Sequence, residues 1–197
     1  MTVEEYFRFE ESAPIRHEYV LGELYAMPGG TARHGRIVMN VARRLDAAAG
    51  DGPCEVFIEN MRVAASNDTY YYPDIMVNCA ALGDLEVVAR GPCVLVEVTS
   101  PDSARVDRGE KLDRYRLIPG LRAYLIVDHR RRRVESHSRP SDADEWRREE
   151  IVGEGRVVVP CVDTELTLDE VYRRVELPAV GEPEREYETA ELDEHES

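Results

Sequence analysis

Lysine is almost missing from this chain. Its 25 basic residues are 24 arginines and one lysine, Lys111. A guanidinium is a rigid fork that stays protonated, whereas an ammonium is a compact charge with a tunable pKa, so the position that keeps lysine is a lead. Long apolar runs are missing too. None approaches the roughly 18 residues that a spanning helix needs, so no membrane association is expected. The N-terminus, MTVEEYFRFEES, lacks the basic start and apolar centre of a signal peptide, and a cytoplasmic protein is expected. The four cysteines, at 54, 79, 93 and 161, make no CxxC pair. Without zinc-ligand spacing, buried and reduced thiols are the expectation.

A basic surplus is also lacking, since 40 acidic residues give a net charge of −15. From Glu176 onward there are nine acids and one arginine, so the tail carries −8 and residues 1–175 the remaining −7. An acidic body argues against a protein that grips nucleic acid through a broad basic surface. The tail, 176–197, is poor in large apolar residues and reads as disordered. What remains, 1–175, suits one domain with a real core.

Thr2-Val-Glu-Glu5 is a capping box that predicts a short helix through about residue 11. HEYVLGELYAM predicts two strands around Leu21-Gly22, and Ile37, Val38, Val41, Leu45 and Ala48 recur at helical spacing before Gly50. CEVFIENMRVAA and TYYYPDIMVNC, joined by Ser66-Asn67-Asp68, look like a hairpin. PCVLVEVTS reads as a central strand covered on both faces. A helix is expected from about Asp107 to Leu117, then a buried strand in LRAYLIVDH, strands in VESHS, EWRREEIV and RVVVP, and a last helix from the Thr167 capping box to about Val175. The pattern is mixed α/β or α+β around one sheet.

Two carboxylates interrupt apolar stretches: Asp74 in YYYPDIMVNC and Glu97 in CVLVEVTS. A lone buried carboxylate is costly, so each needs a cation or a proton. Singly, each could be a structural salt bridge to an arginine. Together, on successive strands and close to strand ends, they suit a hard divalent cation such as Mg²⁺ or Mn²⁺. Period-two alternation puts Thr99 on the face of Glu97. A lysine at 99 would complete a PD…E-x-K pattern. Instead, a helix through 107–117 puts Asp107, Lys111 and Tyr115 on one face at i, i+4 and i+8.

These stretches together resemble the Uma-type restriction-endonuclease-like domain family of the PD-(D/E)xK nuclease superfamily. The matching segments are EEY, RHEYVLGELYAM, the His34 helix, YYPDIMV, VLVEVTSPDS, D-x-x-x-K-x-x-x-Y at 107–115 and AYLIVD, spanning residues 2 to about 175. The resemblance implies a restriction-endonuclease-like fold, with a central mixed β-sheet flanked by helices, and a metal-dependent endonuclease acting on DNA. By the same resemblance Asp74 and Glu97 match the metal-binding acids, with the Val98 carbonyl as a third ligand. Lys111 matches a lysine moved from the strand to the following helix, and Glu18 an acid that supports the site. His34, Thr99, Ser100, Asp107 and Tyr115 are further candidates near it, and a homodimer is expected because two copies would bracket two strands. The competing reading is a catalytically silent nuclease-fold module that binds protein or nucleic acid.

Overall fold

The capping box at the N-terminus forms as its sequence dictates. Thr2 accepts a hydrogen bond from the Glu5 amide, the Glu5 carboxylate accepts one from the Thr2 amide, and α1 (Val3–Glu10) follows. The computed structural model describes residues 1–27, 29–99 and 103–178. Ser100 and the acidic tail from Ala179 onward therefore lie outside the described residues. β1 (His17–Val20) and β2 (Glu23–Ala26) pair antiparallel around Leu21 and Gly22, at φ 51° and 98°. Positive φ at both central residues matches the twist of a two-residue hairpin. α2 (Ala32–Ala49) follows its apolar period and stops at Gly50.

The long hairpin expected over 54–79 is cut in two on each arm. Glu59, at φ 53°, lies between β3 (Glu55–Ile58) and β4 (Arg62–Ser66). Pro73, which has no amide to give to a ladder, lies between β5 (Thr69–Tyr71) and β6 (Ile75–Asn78). The hairpin thus crosses from one sheet to another. With β7 (Val88–Ala89), the first sheet runs β2-β1-β5-β4-β7. The second also contains β8 (Pro92–Thr99), β9 (Ala123–Asp128), β10 (Arg133–Ser138) and β11 (Arg147–Val152). Its order is β11-β10-β9-β8-β6-β3, and β8 and β9 are its parallel pair.

β8 is buried along its whole length, as a strand covered on both faces should be. On one face Val94, Val96 and Val98 pack with Ile37, Val41 and Leu45 of α2. The other face packs Leu95, Tyr124 and Ile126 with Leu112 and Tyr115. These last two belong to a helical stretch that differs from the single helix expected. It consists of α3 (Ala104–Val106), a π-helical segment (Asp107–Lys111) and α4 (Leu112–Tyr115). A hairpin of β12 (Arg156–Val159) and β13 (Thr164–Thr167) leads to α5 (Leu168–Val171), started by the second capping box and shorter than expected. The architecture is α+β, mixed sheets flanked by helices.

The cysteines correct the expectation of separate reduced thiols. Cys54 is bonded to Cys79, and Cys93 to Cys161. The ladder that pairs Glu55 with Asn78 continues to Cys54 opposite Cys79, a proximity that residue spacing does not reveal.

Buried charge on β10 is held by multiple partners. Glu135 is 3% exposed and forms ion pairs with Arg108, Arg133 and Arg148. Arg116 donates to His137 Nδ1 at 2.8 Å, so the His137 hydrogen sits on Nε2, 2.9 Å from Glu135. Burial pushes the Glu135 carboxyl up, but hydrogen bonds from Arg148 and His137 outweigh it and bring its pKa down to about 2. A carboxyl depressed by folding stabilises above its unfolded pKa, and that contribution is lost as pH falls through the folded value. Glu135→Gln should therefore lower urea-unfolding free energy by about 2 kcal/mol at pH 7, the gap to wild type narrowing from about pH 4.5 toward 2. A pH-independent gap would count against this assignment.

Candidate active site

The π-helical segment delivers the lone lysine. Its wider turn re-aims side chains, and such turns recur at functional sites. Lys111 Nζ lies 2.8 Å from Glu18 of β1, 3.1 Å from Glu97 of β8 and 3.8 Å from Asp107 one turn back. The Tyr115 hydroxyl donates to the same Glu97 oxygen at 3.0 Å. Thr99 does not join them, because its hydroxyl donates to the Val127 carbonyl at 3.4 Å. The ammonium therefore reaches Glu97 from the helix and not from the strand.

Burial drives the electrostatics here. It raises the Glu97 carboxyl well above the ordinary range against the opposing pull of Lys111, and it raises Asp107 as well. Burial alone would depress Lys111, but Glu97, Glu18 and Asp107 overcome it and hold the ammonium well above its usual pKa. Lys111 stays charged. The Tyr115 phenol is pushed well up by burial and by Glu97, so it remains a donor. Three carboxylates around one ammonium leave a local surplus of negative charge, which only protons or a further cation can balance. Asp107 Oδ1 is buried and, among the described residues, has no hydrogen-bond partner, its nearest cation being Lys111 Nζ at 3.8 Å.

Asp74 lies immediately beside this cluster. The register Ile75↔Val96 continues to Asp74 opposite Glu97. Asp74 Oδ2 accepts from the Val98 amide at 2.6 Å, which fixes the carboxylate, and Oδ1 lies 3.2 Å from His34 Nε2. His34 sits in the first turn of α2, its amide donating to the Thr31 hydroxyl, and its Nε2 is also 3.7 Å from Glu59. Gly30 leaves room for the ring, since a Cβ there would come within 3.0 Å of His34 Cδ2. Burial disfavours the charged imidazole, but the Asp74 hydrogen bond and charge, with Glu59 and the Val98 backbone, raise its pKa overall.

One ligand atom from each of His34, Glu59 and Asp74 lies within 4.8 Å of the others. Two carboxylates and an imidazole fit a hard or borderline divalent cation. Glu59 is the member that sequence reasoning missed. It sits in the turn between β3 and β4, and its only signal was an acid between two apolar runs.

The chain matches over residues 3–170 the family model Uma2, described as "Putative restriction endonuclease". It belongs to that family. Two proteins of Synechocystis, each described only as uncharacterized, are similar to it. One is 33% identical over 158 residues, covering 78% of this chain and 89% of the relative, and the other is 28% identical over 175 residues, covering 88% and 92%. A solved structure from Anabaena variabilis, described as "a putative nuclease belonging to DUF820", matches with a TM-score of 0.70 at 17% identity, covering 87% of this chain and 97% of that one. The likeness shows the fold, which is restriction-endonuclease-like.

In this Uma2 chain the ammonium has a structural consequence that a surface lysine would not have. Lys111→Met should cost about 3–5 kcal/mol in urea unfolding, because Glu97 and Asp107 lose their buried counter-charge. Adding Glu97→Gln should return part of that loss. A fully additive double variant would show that Lys111 and Glu97 are not coupled.

Proposed function

We propose that this Uma2 chain is a divalent-metal-dependent endonuclease that hydrolyses phosphodiester bonds of DNA. The observation that carries the reading is the fixed Asp74 beside Glu97, with the Lys111 ammonium 3.1 Å from Glu97. Asp74, His34 and Glu59 would hold Mg²⁺ or Mn²⁺, with Glu97 and the Val98 carbonyl as the other candidates. A bound divalent cation supplies Lewis acidity toward phosphoryl oxygens and lowers the pKa of water.

The chain's own groups have separate tasks. The Val98 amide holds Asp74 in one orientation. Lys111 presents a permanent positive charge toward phosphoryl oxygens and positions the attacking water, and its raised pKa makes it unsuited to act as a base. Glu18, Asp107 and Tyr115 keep Lys111 and Glu97 in place. A groove of about 440 Å³ along the exposed face of α2 is lined by Arg36, Arg43, Arg173 and Arg174 and, among the described residues, by no carboxylate. It offers a polyanion a basic track on an otherwise acidic protein. The domain closes at about residue 175 before the acidic tail, and the working form is a cytoplasmic homodimer. No helix among the described residues is long and apolar enough to cross a membrane.

One observation favours the silent-module reading: Lys111 is already engaged by Glu18 and Glu97, and Thr99 stands where the strand lysine would be. Cleavage assays separate the two. The purified chain should nick supercoiled DNA in Mn²⁺ or Mg²⁺, stop in chelator, and lose activity and Mn²⁺ heat in calorimetry on Asp74→Asn. A chain inert toward supercoiled, linear and single-stranded DNA in both metals would leave the binding module.

A further inference from the structure

All four cysteines meet at the end of the second sheet opposite Glu97. Cys54 precedes β3, Cys79 follows β6, Cys93 is the second residue of β8, and Cys161 lies in a 3-10 helix (Pro160–Val162) between β12 and β13. Beyond the two bonded pairs, Cys79 Sγ and Cys93 Sγ are 3.3 Å apart. The four sulfurs therefore form one unbroken array against the α2 side of the core, with Cys93 buried and the other three half-buried.

Stabilisation by disulfides does not explain that contact. A disulfide acts by tying chain segments together, and two of them gain nothing from touching. Cys54 and Cys79 in any case already face one another one step beyond the Glu55↔Asn78 end of a ladder. A single metal ion does require the contact. Four thiolates at a Zn–S distance of about 2.3 Å form a tetrahedron with edges of about 3.8 Å, close to the 3.3 Å between the two pairs. An all-sulfur set is soft and selects zinc over the Mg²⁺ or Mn²⁺ suited to carboxylates.

We propose that the reduced chain binds one zinc ion through Cys54, Cys79, Cys93 and Cys161, and that the paired sulfurs are the oxidised state of this site. A thiol reductant delivers two electrons and two protons to each disulfide and leaves as its own disulfide. The four resulting thiols then release four protons as the ion takes four thiolate bonds. The ion clasps β3, β6 and β8 to the turn between β12 and β13. Glu97 lies four residue steps along β8 from Cys93, about 13 Å, so this is a different centre from the acidic one.

Cobalt(II) is the probe, because thiolate–cobalt charge transfer and tetrahedral ligand-field bands report the ligands directly. Reduced full-length chain should develop both at one equivalent and lose them when zinc is added. The bands should persist in Asp74→Asn and weaken strongly in Cys161→Ser. A reduced wild-type chain with four titratable thiols and no such bands would overturn the proposal, whether or not the variants fold. So would a chain whose two disulfides resist thiol reductants.

Discussion

A single buried ammonium joins three parts of the molecule. Lys111 comes from the helical stretch between β8 and β9, Glu18 from the first sheet and Glu97 from the second, and their charged atoms meet within 3.1 Å of Nζ. Removing a partner from such a group costs several kcal/mol, a large part of a typical domain's 5–15 kcal/mol. The contact therefore constrains the fold as well as the site. The π-helical turn at Asp107–Lys111 and the Tyr115 hydroxyl on Glu97 hold that one charge in position.

The other half of the centre comes from interrupted strands. Pro73 ends pairing in the first sheet, and Asp74 starts the step into the second, where the Val98 amide captures it. Glu59 adopts φ 53° at the matching point of the neighbouring arm. Left-handed backbone is unfavourable for a side-chain-bearing residue. Here it carries a carboxylate to the N-terminal turn of α2, where His34 waits. Both acids owe their place to the crossing of the hairpin between sheets.

Much of this was legible in the residues. Capping boxes, the α2 period and the buried β8 run are local signals, and each gave its element. Asp74 and Glu97 stood out because carboxylates break apolar patterns, and Lys111 because arginine fills every other basic position. The resemblance to Uma-type domains was legible from the order of those motifs, and the family match bears it out. Contacts between distant segments were not legible. Glu59 depends on how β3 and β4 diverge, the π-helical turn on what Lys111 must reach, and the cysteine array on four elements whose spacing carries no pattern. That Pro73 sends the chain into a second sheet follows only from tertiary packing.

The central claim is that the site needs a compact point charge at residue 111. Lys111→Arg tests it most directly, since arginine serves at every other basic position of the chain. The comparison is turnover on supercoiled DNA in Mn²⁺, with Mn²⁺ binding and unfolding measured on the same samples. The forked guanidinium should misplace the phosphoryl group or water by about 1 Å and lower the rate on the order of 100-fold, while metal binding persists. Wild-type turnover in Lys111→Arg would contradict the account.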